Sequence, residues 1–366
     1  MDMAKPKIRF NRYTEDWEQR KLGDVYNFQY GEFNNNPDNG GEYPIYGANG
    51  IIGGYTKYNA EDSAIIGHMG AYAGYVVWAS GKHFVTYNGT IARPSDDLLD
   101  SKFGYYMLSQ KQIYRICAGS GQPFVSYADL NGIDIKIPID KSEQGKMGAY
   151  FSTLDRLITL HQRKCEQTKT LKKYMFQKMF PQDGEKVPQI RFEGFTEDWE
   201  QRKLGELAEI VGGGTPSTGI DSYWDGDIDW YAPAEIGEQI YLESSQRKIT
   251  EEGLNKSSAK ILPIGTVLFT SRAGIGKTAI LLKEGCTNQG FQSIVPNKEK
   301  LDSYFIFTRS EELKRYGETV GAGSTFVEVS GKQMANMELM MPKTMLEQQQ
   351  IGEYFQSLDY LITLHQ

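Results

Sequence analysis

"TEDWEQRKLG" occupies Thr14–Gly23 and returns unchanged at Thr196–Gly205, an offset of 182 residues. A second pair follows in the same order: "MGAYFSTLDRLITLHQRK", starting at Met147, returns as "IGEYFQSLDYLITLHQ", starting at Ile351, an offset of 204. The period is far above the roughly 20–50 residues of a solenoid repeat. The two matches therefore indicate one duplicated domain.

Between these anchors the two copies differ but still align. "SAIIGHMGAYAGYVVW" (Ser63–Trp78) lies over "GTVLFTSRAGIGKTAI" (Gly265–Ile280) at an offset of 202. The sequence thus predicts two similar framework segments that carry two unlike middle domains. We predict these boundaries: framework at 1–23, first middle domain at 24–140, spacer helix at 141–182, framework again at 183–205, second middle domain at 206–342, and the start of a second spacer helix at 343–366.

Composition limits the class of protein. The chain has 366 residues, enough for two cores, and no apolar run approaches the roughly 18 residues of a membrane span. No secretory signal is visible at the N-terminus, and the three cysteines, Cys117, Cys165 and Cys286, are widely spaced. Together these features predict a cytoplasmic protein without a membrane partner. The net charge of −7 is unfavourable for a nucleic-acid binder, but binding depends on where basic residues cluster.

The stretch "SRAGIGKT" resembles the phosphate-binding loop of an ATPase. Gly276, Lys277 and Thr278 supply its end, but Ser271 stands where the first glycine is required. Tyr75 aligns with the lysine in copy 1. A turn between two strands fits better, because β-branched and apolar residues precede the glycines. A nucleotide-binding enzyme that uses Gly276–Thr278 remains the alternative interpretation.

The pattern of short strands, turns and short helices predicts an α+β fold with an irregular, mixed or antiparallel sheet in each middle domain. A long helix is predicted after the first middle domain, from Met147 to Phe180. Its apolar positions form one stripe, at Phe151, Leu154, Ile158, Leu171, Met175 and Met179. His161, Cys165 and Thr168 interrupt that stripe. A helix about 50 Å long with so narrow a stripe needs a partner helix, and the repeat at Tyr354–Gln366 predicts an antiparallel coiled coil that separates the middle domains.

The sequence as a whole resembles the specificity subunit of type I restriction-modification systems. The resemblance is carried by the duplicated "EDWEQRKLG", by "SRAGIGKTAI" followed by "NQGF", by "GSTFVEVSGKQMANMELMMP", and by "LEQQQIGEYFQSLDYLITLHQ". It implies two target-recognition domains, each reading half of a bipartite site in double-stranded DNA. It also implies helices that set the spacing, about one DNA turn or roughly 34 Å, and that dock partner subunits.

The partners implied by the resemblance are two modification (methyltransferase) subunits and two restriction (translocase/nuclease) subunits. S-adenosylmethionine, ATP and Mg²⁺ are expected on those partners, and no cofactor is expected in this chain. The chain departs from the pattern at Gln366, which matches Gln162. Copy 1 continues there with "RKCEQTKTLKKYMFQKMF", so a shortened second helix is expected.

A DNA reader needs basic groups for phosphates and hydrogen-bonding side chains for base edges. Candidates on the predicted turns are Lys57, His68, Tyr72, Tyr75, Lys82, His83, Asn88, Arg93, Ser120 and Gln122 in copy 1, and Arg247, Lys248, Ser271, Arg272, Lys277, Thr278, Asn288, Gln289, Gln292, Ser324 and Thr325 in copy 2. The alternative for each residue is that it belongs to an ordinary polar turn and does not contact DNA.

Helix and framework positions are the candidates for docking partner subunits. They are Trp17, Trp199, Leu154, Ile158, His161, Leu358, Ile362 and His365. For the tryptophans the alternative is a core anchor. No methylation motif, cofactor fingerprint or metal-ligand spacing is recognisable, and "DIK" at Asp134–Lys136 is most simply a strand. The sequence therefore predicts a non-catalytic subunit. A structural adaptor that does not contact DNA is the remaining alternative.

Overall fold

A computed structural model describes residues 6–33, 38–117, 119, 121–182, 184–237, 239–272, 274–322 and 328–366. Contacts divide the chain into residues 1–160, here unit 1, and residues 161–366, here unit 2. The division falls inside one long helix.

Unit 1 is a mixed sheet with short helices. Its strands are β1 (Glu18–Lys21), β2 (Tyr26–Tyr30), β3 (Tyr43–Gly47), β4 (Gly50–Tyr55), β5 (Ala60–Gly67), β6 (Val76–Val85), β7 (Gly89–Pro94) and β8 (Asp134–Ile137). Its helices are α1 (Leu22–Val25), α2 (Ser101–Gln110), α3 (Tyr127–Gly132) and the first part of α4 (Lys141–Met179). A 3₁₀ turn covers Ile113–Arg115.

Six strands of unit 1 form one sheet in the order β2-β7-β5-β6-β3-β4, and β1 pairs separately with β8. Among the described strands of this sheet, β3 and β6 pair in parallel and the other neighbours pair antiparallel, so the sheet is mixed, as predicted. Ile65, Ile66 and Ile91 on the central strands are fully buried. The segment "DIK" lies in β8, which pairs antiparallel with β1. This pairing confirms the strand predicted for "DIK".

Unit 2 repeats this architecture with more elements. Its strands are β9 (Glu200–Lys203), β10 (Ala208–Gly212), β11 (Trp224–Tyr231), β12 (Tyr241–Leu242), β13 (Arg247–Ile249), β14 (Val267–Phe269), β15 (Thr278–Leu281), β16 (Cys286–Thr287), β17 (Gln292–Pro296) and β18 (Glu338–Met341). Its helices, after the second part of α4, are α5 (Leu204–Leu207), α6 (Glu251–Asn255), α7 (Ser303–Thr308), α8 (Ser310–Gly321), α9 (Gly331–Ala335) and α10 (Met345–Leu364). Two 3₁₀ turns cover Asp221–Tyr223 and Pro233–Glu235.

The described residues of unit 2 form three sheets. One has five strands in the order β10-β17-β14-β15-β12, one has three in the order β13-β11-β16, and β18 pairs with β9. The strands β11 and β13 lie in the region where copy 2 has about twenty extra residues relative to copy 1, since the offset rises there from 182 to 202. The largest core cluster of the unit contains Trp199, Phe269, Phe305 and Phe355.

The repeated framework segments make the same contacts in both units. In unit 1 the Arg9 guanidinium donates through Nε and Nη2 to the carboxylate of Glu143, at 2.6 Å for each bond. In unit 2 Arg191 donates in the same way to Glu347, at 2.7 and 2.9 Å. Both glutamates are buried. The repeated "IRF" thus holds the start of each long helix through a two-pronged ion pair.

Within unit 2 the second part of α4 packs antiparallel on α10. The contacts run in opposite directions along the two helices: His161 with His365, Cys165 with Ile362, Lys172 with Asp359, and Phe176 with Phe355. The antiparallel pairing predicted for these segments is confirmed. Helix α4 runs from Lys141 to Met179 and so contains the whole apolar stripe predicted between Met147 and Phe180. His161 and Cys165, which interrupt the apolar stripe, are themselves contacts with α10.

Candidate DNA-reading loops

Three segments of unit 1, distant in sequence, meet at one end of the large sheet. We call residues 67–75, 86–89 and 121–125 the unit 1 loop cluster. His68 N–H donates to the Asn88 carbonyl at 2.8 Å, and Val125 N–H donates to the His68 carbonyl at 3.0 Å. Met69 forms a β-bridge with Phe124. Backbone hydrogen bonds therefore fix the positions of these loops before any ligand binds.

Three segments of unit 2 meet in the same way. We call the described residues of 270–277 (all but 273), 287–290 and 328–329 the unit 2 loop cluster. Ser271 N–H donates to the Gly290 carbonyl at 2.8 Å, and Val329 N–H donates to the Ser271 carbonyl at 3.0 Å. Arg272 forms a β-bridge with Glu328. Each of these contacts has a counterpart in the unit 1 loop cluster.

The first loop of each cluster closes with equivalent hydrogen bonds. In unit 1, Gly67 N–H donates to the Tyr75 carbonyl at 2.8 Å. In unit 2, Thr270 N–H donates to the Lys277 carbonyl at 3.0 Å. Near the end of each loop a glycine takes a positive φ, 77° at Gly74 and 95° at Gly276, a conformation that glycine adopts readily. The two units therefore share one backbone frame.

This frame corrects the sequence alignment by one residue. The constant offset of 202 placed His68 over Thr270. The hydrogen bonds and β-bridges within each unit show instead that His68 is equivalent to Ser271, and Met69 to Arg272. At Tyr75 and Lys277 the offset returns to 202. The unit 2 loop is thus one residue shorter, and an alignment without gaps cannot detect the difference.

The "GIGKT" stretch is a turn between antiparallel strands. Strands β14 and β15 pair with Phe269 opposite Thr278. Lys277 is followed directly by strand β15, whereas a phosphate-binding loop leads into a helix. Lys277 N–H donates to Thr270 Oγ1 at 2.9 Å, so it is not free to bind a phosphate. The interpretation as a loop between strands is confirmed over the nucleotide-binding alternative.

The exposed side chains of the unit 1 loop cluster are mainly aromatic. Tyr72, Tyr75 and Phe124 are each more than two-fifths exposed. Tyr75 stacks on Tyr114 with ring centroids 5.2 Å apart, and Tyr72 meets Tyr75 edge to face at 5.9 Å. Such rings present apolar faces together with phenolic hydroxyls. Of the predicted polar residues here, Asn88 and Gln122 are exposed.

The unit 2 loop cluster is charged. Lys277 is exposed at the position of Tyr75. Arg272, at the position of Met69, has a side chain that is 36% exposed and lies 3.9 Å from the Glu328 carboxylate. Because an ion pair at this distance and exposure is weak, the guanidinium can exchange Glu328 for another acceptor. The same frame thus presents a cationic surface here and an aromatic one in unit 1.

Three candidate contact residues are buried, and the structure corrects their assignment. His83 is fully buried between Ser63 Oγ, 3.0 Å from Nε2, and the Gly81 carbonyl, 2.8 Å from Nδ1. His68 is 6% exposed and packs on Tyr30. Ser271 is also fully buried. Desolvation by burial lowers the pKa of both histidines, so they behave as neutral core groups.

Other candidates of copy 1 are exposed but distant from the loop cluster. Strand β7 starts in the cluster at Gly89 and carries Arg93 four residues on, about 13 Å away at 3.3 Å per residue. Lys82 pairs opposite Glu61, at the far end of β5 from Gly67. Lys57 is exposed before β5. The structure does not bring these cations together with the loops.

Arg247 and Lys248 lie on β13, outside the loop cluster. The Arg247 guanidinium is 3.7 Å from the centroid of the Trp224 ring. Lys248 Nζ is 3.4 Å from buried Asp229, and Lys283 Nζ is 3.1 Å from it. Burial alone would raise the pKa of Asp229, but hydrogen bonds from Ser245 and Lys283 and the charge of Lys248 lower it. Both candidates therefore stabilise the three-stranded sheet in this structure.

The remaining candidates, four of copy 2 with described positions and three from both copies, shape the loops, lie beside them or lie outside the described residues. Asn288 Oδ1 accepts from Gly290 N–H at 2.7 Å, and Thr278 Oγ1 donates to Ser310 at 2.8 Å. Gln289 accepts a hydrogen bond from Thr215 and is exposed, and Gln292 is half-buried at the start of β17. Ser120, Ser324 and Thr325 lie outside the described residues.

Sequence reasoning missed three exposed aromatic residues of unit 1: Tyr87 and Phe124 in the loop cluster, and Tyr114, which stacks on Tyr75. It also missed Met69 and Glu328, which are half-buried and form β-bridges in their clusters. A search weighted toward basic and amide side chains found Tyr72 and Tyr75 but passed over these residues. The one available signal was the alignment of "GQPF" with "GSTFVE", which placed both segments at equivalent positions.

The docking candidates divide between buried and exposed positions. Trp199 is 1% exposed and donates from Nε1 to Glu347 at 3.1 Å, so it is a core anchor. Its counterpart Trp17 is half-buried against Phe103. On α10, Leu358 is buried and Ile362 half-buried, whereas the equivalent residues of α4, Leu154 and Ile158, are 36% and 54% exposed. At these equivalent positions, an exposed apolar face thus lies on the first part of α4.

A family model described as the type I restriction modification DNA specificity domain matches residues 14–170 and 196–366. The chain belongs to this family. It contains two copies of the specificity domain, which agrees with the duplicated framework and with the shared loop frame. Among the described residues, no helix combines the length and apolar character of a membrane span, and no three His, Cys, Asp or Glu side chains cluster as metal ligands would.

Two curated relatives and one solved structure resemble the chain. It is 38% identical over 168 residues to the type I restriction enzyme MjaIX specificity subunit of Methanocaldococcus jannaschii, covering 45% of this chain and 39% of the relative. It is 25% identical over 394 residues to a putative type I restriction enzyme MjaX specificity subunit of the same organism, covering 98% of this chain and 90% of the relative. A specificity subunit structure from M. genitalium superposes with a TM-score of 0.72 at 18% identity, covering 98% of this chain and 93% of that one. At that identity the superposition establishes the fold alone.

Proposed function

We propose that this chain is the DNA sequence-reading subunit of a type I restriction-modification complex, with one half of a bipartite site read by each of the regions 24–140 and 206–342. The proposal rests chiefly on the loop frame that the two units share. Equivalent backbone hydrogen bonds hold unlike side chains at equivalent positions. A common frame with different exposed groups is suited to docking two similar DNA surfaces while reading different bases.

In unit 2, Arg272 and Lys277 supply the contacts. A planar guanidinium can donate two hydrogen bonds to the O6 and N7 edge of guanine, and one such pair contributes about 1–3 kcal/mol of discrimination. Arg272 lies 3.9 Å from the Glu328 carboxylate, and DNA can displace this weak, exposed pair. Lys277 is exposed at the loop end, where it can pair with a phosphate.

In unit 1, the reading surface has no formal charge. Tyr72, Tyr75 and Phe124 offer apolar contact, which suits the methyl group of thymine, while Asn88 and Gln122 offer amide groups that can pair with adenine. Because this surface neutralises no phosphate by itself, we expect the loops of unit 1 to contribute less to the salt dependence of binding than those of unit 2.

Methylation and cleavage are assigned to partners. We propose two modification subunits, which bring S-adenosylmethionine, and two restriction subunits, which bring ATP and Mg²⁺, assembled in the cytoplasm. The chain itself would be non-catalytic. The exposed apolar face of α4, at Tyr150, Phe151, Leu154, Leu157 and Ile158, is the proposed docking surface for the modification subunits, because apolar patches of this kind mark interaction sites.

A chimera tests the proposal. Residues Asp24–Ile139 are replaced by the equivalent region of another specificity subunit with a known target, and the chimera is co-expressed with its modification subunit. Methylome sequencing should show one half-site changed and the other retained. A protein whose two half-sites change together, or whose methylation pattern does not change, would contradict the division of reading between the units. If the chimera produces no methylation, pull-down of the modification subunit shows whether assembly or DNA recognition has failed.

A further inference from the structure

Two histidines face each other where α4 meets the end of α10. The Nδ1 atoms of His161 and His365 are 2.8 Å apart, and their ring centroids are 5.0 Å apart. The two residues occupy equivalent positions of the repeated "LITLHQ". Neither ring is buried: His161 is exposed and His365 half-buried. The pair is therefore accessible to small solutes.

The contact as it stands requires a specific arrangement of protons. One neutral imidazole must donate from Nδ1 while the other presents an Nδ1 lone pair, since two protonated nitrogens would repel each other. Both nitrogens can instead share a cation that accepts two lone pairs. Tetrahedral bonds of about 2.0–2.1 Å place the two nitrogens roughly 3.3 Å apart, only a small widening of the present distance.

His365 directly follows Leu364, the last residue of α10, and its N–H donates to the Ile362 carbonyl at 3.2 Å. This bond fixes the backbone that carries the His365 ring. Imidazole nitrogens suit zinc, nickel and copper, whereas magnesium prefers oxygen ligands.

We propose that His161 and His365 form a two-histidine site for a divalent transition metal, Zn²⁺ in the cell, with water completing the coordination. The site would cross-link the end of α10 to the middle of α4 and so stabilise the helix pair of unit 2. Cys165, one turn from His161, is buried, and its thiol faces the Ile362 carbonyl at 3.9 Å; the proposal does not use it as a ligand. The inference is independent of the proposed DNA-reading function.

Titration with Ni²⁺ tests the site, because this ion favours imidazole over thiol more than Zn²⁺ does. Of the four histidines of the chain, the other two, His68 and His83, are buried. Calorimetry on the full chain should give one saturable site. Affinity should fall at least tenfold in H161N and in H365N, and remain unchanged in the neighbouring control Q162N. Mg²⁺ should give no heat of binding.

Thermal unfolding gives a second readout. Ni²⁺ and Zn²⁺ should raise the melting temperature of the wild-type chain, EDTA should reverse the effect, and neither variant should respond. Asparagine has a helix propensity close to that of histidine, and position 365 lies beyond the helix, so at least H365N should fold normally by circular dichroism. Absence of a saturable site in the wild-type chain, or binding retained in the H161N/H365N double variant, would overturn the proposal.

Discussion

Substitution of Glu347 by glutamine removes the acceptor that holds the framework of unit 2 together. The carboxylate is 2% exposed and accepts three hydrogen bonds, from Arg191 Nε at 2.7 Å, from Arg191 Nη2 at 2.9 Å and from Trp199 Nε1 at 3.1 Å. Glutamine keeps the shape but loses the charge, and it directs an amide donor at one of these donors. Arg191 would remain as a largely buried cation without its counter-ion.

The expected loss of stability follows from this geometry. Breaking a buried ion pair by removing one partner costs about 3–5 kcal/mol. Arg191 keeps 12% side-chain exposure and a second acceptor, the Glu197 carbonyl at 2.7 Å, so the low end of the range applies, about 3 kcal/mol. With a urea slope of roughly 2 kcal/mol/M, the unfolding midpoint of unit 2 should fall by about 1.5 M.

Urea unfolding of the full chain, followed by tryptophan fluorescence, measures the effect. Trp199 lies in the disturbed contact and reports locally. Glu197→Gln is the matched control, because this glutamate is 66% exposed and only 3.9 Å from Lys343; it should cost less than about 0.5 kcal/mol. Glu143→Gln, at the equivalent position of unit 1, should shift a separate transition.

The reasoning would be refuted if Glu347→Gln cost no more than Glu197→Gln. A double variant, Arg191→Met with Glu347→Leu, sharpens the test, because replacing both members by apolar groups is often nearly neutral. The double variant should therefore be more stable than Glu347→Gln alone. High salt should leave the effect largely intact, because buried pairs are poorly screened.

Three further outcomes are expected. Burial lowers the pKa of His68 and His83, so below about pH 6.5 the unfolded chain takes up protons that the folded chain does not. The free energy of unfolding should therefore fall as the pH is lowered from about 7.5 to 5.5. In urea unfolding, His83→Gln should make the midpoint depend less on pH. Lys277→Ala should weaken DNA binding equally for all sequences and reduce the salt slope by about 1 in fluorescence anisotropy, and an unchanged slope would show that Lys277 does not contact phosphate. Phe355→Ala, in a fully buried site against Phe176, should cost about 3–5 kcal/mol in urea unfolding, whereas Phe151→Ala at the equivalent exposed position should leave stability nearly unchanged and weaken pull-down of the modification subunit.

The sequence alone determined the plan of the protein. An unchanged repeat of "TEDWEQRKLG" and a repeated helix start establish a duplication, because long matches in one order do not arise by chance. The spacing of Phe151, Leu154 and Ile158 predicts the long helix, since helical periodicity is local and can be read directly from residue order. The loop interpretation of "GIGKT" needed only the missing first glycine. These inferences depend on neighbours in sequence.

The candidate site was decided by the tertiary structure. His83 and Ser271 belong to turns by composition, yet both are fully buried, because their exposure depends on strands that lie far away in sequence. The one-residue shift that places Arg272 at the position of Met69 appears only in hydrogen bonds between separate loops. The facing of His161 and His365 likewise requires two helices to pack. Burial, register and pairing arise from contacts between segments distant in sequence, and local sequence patterns do not reveal them.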